Sequence, residues 1–197
     1  MEKFSIDNIL KIHELVDEIE FEQASSLYLK LRWMVHENPS LEQVRNYLGN
    51  LMELYENKHW GDPAKITQEL VDESDKAEIL IEKDNLFIAK RKEIIKSRLN
   101  NNKLKQSDLA KILGHRDNYM SELINGIRPF SKEDIIVMNR LLKIPFKDLI
   151  SPYIKEEVVK RIKIVLSTLK NEGLKFSAQD LETGITSCQV CEDEPNY

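Results

Sequence analysis

Apolar residues recur along this chain at helical spacing over most of its length. Ile9, Ile12, Val16 and Ile19 follow spacings of three and four and predict a first amphipathic helix. Ala24, Leu27, Leu31 and Met34 predict a second. Asn38-Pro39-Ser40 interrupts the pattern, because Pro39 disfavours helical geometry at Asn38. Ser40, with Gln43 three residues on, reads as a capping box that opens a third helix lined by Leu41, Val44, Leu48, Leu51 and Tyr55. Gly61 ends that region, and Asp62-Pro63 restarts a helix with a cap and a pre-set first residue. From Ala64 to Leu113 there is neither Gly nor Pro. That stretch exceeds an ordinary globular helix, so breaks are expected near Asp75 and again near Asn100-Asn101-Asn102. Ile79-Leu80-Ile81 has strand character, but Lys76 to Lys92 reads better as helix. Val158, Ile162, Val165 and Leu169 form a last stripe, closed by Gly173, and an acidic, frayed tail is expected from residue 185 onward.

Composition agrees with this pattern. Hydrophobic residues make up 41% of the 197, too many for a disordered chain even with 32% charged. Gly and Pro number only six each, too few for the frequent turns of a sandwich or barrel. No apolar run is long enough to span a bilayer, and Met1-Glu2-Lys3-Phe4-Ser5 has no apolar signal core. The two cysteines, Cys188 and Cys191, lie in the last ten residues, so no disulfide framework organises the fold. The expectation is a soluble, intracellular, all-α protein.

Charge divides the chain. The net value of −5 hides 19 acidic against 9 basic residues over 1–85, and 14 basic against 7 acidic over 86–151. An acidic half joined to a basic segment points to two surfaces for two kinds of partner. We therefore expect three regions: an acidic helical region over 1–85, a basic domain over 86–151, and a C-terminal helix with its tail over 152–197.

The informative constellation lies in the basic segment. Leu109, Leu113, Met120 and Leu123 supply a wedge of core for two short helices, Ala110 permits their close crossing, and Gly114 suits a corner that needs positive φ. The set Gln106-x-x-Leu109-Ala110-x-x-Leu113-Gly114, then Ser121-x-Leu123-x-Asn125-Gly126-x-Arg128-Pro129-x-Ser131, resembles the Cro/phage-repressor (Xre) class of DNA-binding domains. Leu141-Leu142-Lys143-Ile144-Pro145 and Leu149-Ile150 continue the similarity, which covers residues 88–151, a third of the chain. The resemblance implies a five-helix lambda-repressor-like domain that binds double-stranded DNA as a two-fold dimer.

At the matching positions the resemblance assigns roles. Gln106, with Ser107 beside it, would hold a phosphate at the amino end of the first helix. Arg116, Asp117, Asn118 and Glu122 fall where a reading helix meets base edges, and Asn118 has the amide for bidentate adenine recognition. Tyr119 and Ser121 would reach the DNA backbone, and Arg128 and Lys132 would supply charge for phosphates. Two features depart from the family. His115 stands where an apolar residue is usual, and Asp117 and Glu122 place carboxylates on the DNA-facing side, to accept from cytosine or to repel phosphates.

In the acidic half, Leu51-Met52-Glu53-Leu54-Tyr55-Glu56-Asn57-Lys58-His59-Trp60 upstream of such a domain is similar to the HigA-type antitoxins of bacterial toxin–antitoxin pairs, although some twenty-five residues intervene here. That similarity implies a cytoplasmic, nucleoid-associated repressor that neutralises a small basic ribonuclease toxin and controls its own operon. Aromatic packing at a helix end accounts for Tyr55, His59 and Trp60 better than direct toxin contact does. Two alternatives stand beside it: a ligand-responsive regulator, and an interaction module that has lost DNA binding. Nothing in the chain forms a phosphate loop, nucleophile elbow or four-ligand metal pattern, so neither an enzyme nor a cofactor is expected. The stripe of Val158, Ile162, Val165 and Leu169 is a candidate homodimer seam, with packing inside the chain as the equal alternative.

Overall fold

The computed structural model describes residues 4–152, 154 and 156–168. Among these, all regular structure is helical, with nine α-helices, two short 3-10 turns and no strand. The chain divides into two compact units, residues 1–151 and 152–197. The first contains α1 (Ile6–Ile9), α2 (Glu18–Met34), α3 (Glu42–His59), α4 (Gln68–Asn101), α5 (Gln106–Leu113), α6 (Asp117–Ile124), α7 (Lys132–Leu142) and α8 (Phe146–Leu149). The second contains α9 (Glu156–Thr168), which carries Val158, Ile162 and Val165. Leu169, Gly173, the acidic tail, Cys188 and Cys191 lie outside the described residues.

Two apolar cores form within the first unit. Every residue of the predicted second and third stripes is buried, from Ala24 to Met34 on α2 and from Leu41 to Tyr55 along α3, and these join Ile6, Ile9, Ile12 and Leu15. The Tyr55 hydroxyl donates to Glu18 Oε1 at 3.0 Å, and Trp60 Nε1 donates to the same oxygen at 3.1 Å. Burial, followed by the Glu18 hydrogen bond, pushes the Tyr55 phenol above its ordinary range, so it stays a donor. His59 and Phe21 stack on the Tyr55 ring, with centroids 4.3 and 5.2 Å away. The second core gathers Ile95 and Leu99 of α4 with Leu109, Ala110, Met120, Leu123, Ile124, Phe130, Met138, Leu142, Ile144 and Leu149.

Four local expectations are corrected. The stripe from Ile9 to Ile19 is not one helix: α1 ends at Ile9, and Val16 is 57% exposed. The reason is a stronger start signal downstream. Asp17 accepts the Glu20 backbone N–H at 2.8 Å while Glu20 accepts that of Val16 at 3.0 Å, so α2 begins at Glu18. The Tyr47 hydroxyl also donates to the Ile12 carbonyl at 2.7 Å, which satisfies that stretch outside a helix. The Ser40–Gln43 capping box does not form, because Pro39–Leu41 makes a 3-10 turn and Ser40 donates instead to Asn38 at 2.6 Å. Asp62-Pro63 likewise opens a 3-10 turn, and the helix proper starts five residues later behind Thr67, whose Oγ1 accepts from Leu70 N–H at 3.2 Å. No break occurs near Asp75. Packing against α2 carries α4 through 34 residues, a rod of about 50 Å, with Ala77 buried in that stretch. The helix therefore passes unbroken through residue 85, where the acidic and basic regions were expected to divide.

The predicted stop at the three asparagines does occur. Asn102 caps α4, Lys103 turns left-handed at φ 56°, and Leu104 N–H reaches back to the Leu99 carbonyl at 2.9 Å.

Candidate nucleic-acid interface

The helix pair α5–α6 is built as its residues require. Asp108 accepts the Lys105 backbone N–H at 2.8 Å and fixes the start of α5. Gly114, at φ 74° and ψ 24°, ends it in the left-handed region, with His115 N–H bonded to the Ala110 carbonyl at 2.8 Å. Arg116 then caps α6 in extended geometry. Leu109, Ala110, Met120 and Leu123 are all fully buried between the helices, and Leu113 is half-buried. The second helix thus leaves the corner with its first turn in solvent.

His115, at the corner between the two helices, has a defined task. Its Nε2 lies 2.9 Å from Asp134 Oδ1. The other Asp134 oxygen accepts Ser131 N–H at 3.0 Å, and Ser131 Oγ accepts Asp134 N–H at 3.0 Å, a capping box at the start of α7. Asp134 therefore ties the α5–α6 corner to α7 through a single buried carboxylate. The His115 ring also sits 5.0 Å from that of Tyr119.

The expected contact residues fall into two groups. Gln106, Arg116, Asp117, Asn118 and Lys132 are exposed, Tyr119 is 38% exposed, and Ser107 is half-buried beside Gln106. Among the described residues, Arg116 and Lys132 have no carboxylate within ion-pair distance, and neither do Lys103, Lys105 and Lys111.

The second group is engaged inside the molecule. Glu122, expected among the base-facing residues, is only 4% exposed. Its Oε1 accepts from Asn38 Nδ2 at 3.0 Å and its Oε2 from Arg128 Nε at 2.6 Å. Arg128 also donates through Nη1 to Asp7 at 2.6 Å and stands 5.2 Å from the Tyr119 ring, so it is not a free phosphate ligand. Ser121 is half-buried, its hydroxyl 3.3 Å from Glu37 and 3.9 Å from Met34 Sδ. Asp7, Met34, Glu37 and Asn38 all come from the acidic half. No sequence signal marks them, because contacts across 84 or 121 residues have no periodicity to read.

The corner after α6 has its own constraint. Gly126 sits at φ 70°, and a β-carbon there would stand 2.6 Å from Ile88 Cγ2 of α4. At Gly114 a β-carbon would meet nothing within 4 Å. Gly114→Ala is therefore expected to cost about 1 kcal/mol from backbone strain alone, and Gly126→Ala about 2 kcal/mol or more from strain plus contact. Urea unfolding of the two variants side by side measures the difference.

Among the described residues no group of His, Cys, Asp and Glu is placed to hold a metal, and no helix is long and apolar enough to cross a membrane. The chain matches no family model, no curated protein and no solved structure.

Proposed function

We propose that this protein is a sequence-specific DNA-binding repressor that reads its operator with the amino-terminal half of α6. The observation that carries the reading is the exposed first turn of that helix, Asp117 to Tyr119 behind Arg116, held outward by the left-handed Gly114. Asn118 has the donor–acceptor pair that adenine presents in the major groove, and Arg116 has the fork that suits guanine or a phosphate. Gln106 opens α5 and Lys132 opens α7, both exposed, and in this reading they hold the DNA backbone. The excess of basic residues over 86–151 supplies the sequence-independent attraction that any duplex binder needs.

For the acidic half the proposed partner is a small basic ribonuclease, which makes the protein the antitoxin of a pair that represses its own operon. Tyr55, His59 and Trp60 close the N-terminal core, so they are explained by packing. Support for the partner comes instead from the exposed carboxylates along α4, namely Glu69, Asp72, Glu73, Asp75, Glu78 and Glu82, which suit a cationic protein. Co-purification of the full chain with the product of the adjoining gene tests this, and no complex at low salt removes it.

Lys132→Ala is the test of phosphate contact. It is expected to weaken specific and non-specific duplexes alike and to lower the slope of log affinity against log salt by about one. Fluorescence anisotropy titrations across a salt series measure both quantities.

A further inference from the structure

We infer that the acidic N-terminal half is a built-in competitor of the duplex, so that the chain binds DNA at full strength only when the seam over α6 opens. The inference rests on the proposed reading of α6.

Helical spacing makes the conflict visible. Asn118, Ser121, Glu122 and Asn125 recur at three and four residues, so they line one face of α6 and the turn that ends it. That face is open at Asn118 and closed beyond it. Met34 Sδ lies 3.6 Å from Asn125 Nδ2, Glu37 reaches Ser121, and Asn38 donates to Glu122. A helix that enters the major groove by its amino-terminal end needs the side chains behind that end free for the flanking phosphates, whereas here the end of α2 and the loop after it already cover Ser121 to Asn125. The covering groups are also the right chemistry for competition. Glu37 and Asp7 offer carboxylate oxygens to a serine hydroxyl and an arginine, the same two donors that phosphate oxygens would take in a complex. The seam has an apolar anchor as well, since Ile127, in the loop after α6, is 3% exposed and belongs to the N-terminal core.

The experiment compares the full chain with Asp7→Asn/Glu37→Gln, two exposed seam positions whose neutralisation leaves both cores intact. A second double variant, Glu69→Gln/Asp72→Asn, removes the same charge far along α4 and measures the general electrostatic gain. The probe is a random-sequence duplex of about 30 base pairs, titrated across a salt series. The seam variant is expected to bind about three- to tenfold tighter than the remote control, with a salt slope steeper by about one as Arg128 Nη1 turns from Asp7 to a phosphate while its Nε stays on Glu122. Adding Arg128→Ala to the seam variant should abolish that extra gain. Ile127→Ala, which loosens the anchor, should raise amide exchange over residues 121–128 and duplex affinity together. Equal binding by the seam variant, the control and a wild type that does bind the duplex overturns the inference and leaves the DNA reading standing. No binding by any of them, down to low salt, overturns the DNA reading and the inference with it.

Discussion

Replacing Asn118 by alanine is expected to cost about 1–3 kcal/mol on the cognate operator, a loss of roughly five- to 150-fold, while non-specific binding changes little. The asymmetry follows from position. Asn118 is exposed in the first turn of α6 and touches neither core, so its removal leaves the fold unchanged. An amide that pairs with a base edge contributes to one sequence only, whereas a lysine on a phosphate contributes to all. The variant should therefore lose preference at one position of the site and keep its salt slope. A gel-shift titration against the operator and its single-base variants checks this, and unchanged discrimination would mean that another element reads the bases.

The larger effect on stability is expected at Leu123. Its side chain is fully buried between α5, α6 and the rest of the second core, with Leu109, Ala110 and Met120 beside it. Leu123→Ala should lower unfolding free energy by about 2–5 kcal/mol, combining lost transfer energy with the cavity left behind. The same core sets the crossing of the two helices, so specific DNA binding should fall with it. Because the first unit holds two cores joined by α4, denaturant unfolding followed at Trp60, in the N-terminal core, reports whether the loss stays local. A shift of less than 1 kcal/mol would mean that the core repacks around the gap.

Much of the helical architecture was legible because it depends on local spacing. The stripes on α2 and α3 bury residue for residue as their periodicity predicts, and Leu109, Met120 and Leu123 form the wedge that the corner at Gly114 needs. Where local signals competed, the stronger cap won: Asp17 with Glu20 started α2 and cut short the stripe from Ile9. Length alone misled at Asp75, since tertiary support from α2 lets a helix outrun the usual limit.

The candidate interface was legible only in part, for a related reason. Residues 116–119 are exposed at the start of α6, a placement fixed by the local corner at Gly114. The fate of Glu122, Ser121 and Arg128 was decided by Asp7, Glu37 and Asn38, more than eighty residues away. Side chains with the chemistry to meet DNA have equal chemistry for meeting carboxylates of their own chain, and only the fold settles which they find. His115 is a further case: its partner Asp134 comes from α7, and no local spacing in the sequence joins the two.

The most direct measurement of the central claim is selection from a random duplex pool by the full chain, run in parallel with Asn118→Ala and with the seam-neutralised Asp7→Asn/Glu37→Gln. The account predicts that wild type and seam variant enrich the same two-fold-related half-sites, spaced about one helical turn apart, and that Asn118→Ala relaxes one base pair in each half. A pool that stays unsorted with both, under salt conditions where the protein binds it, would contradict the assignment of α6 as a reading helix.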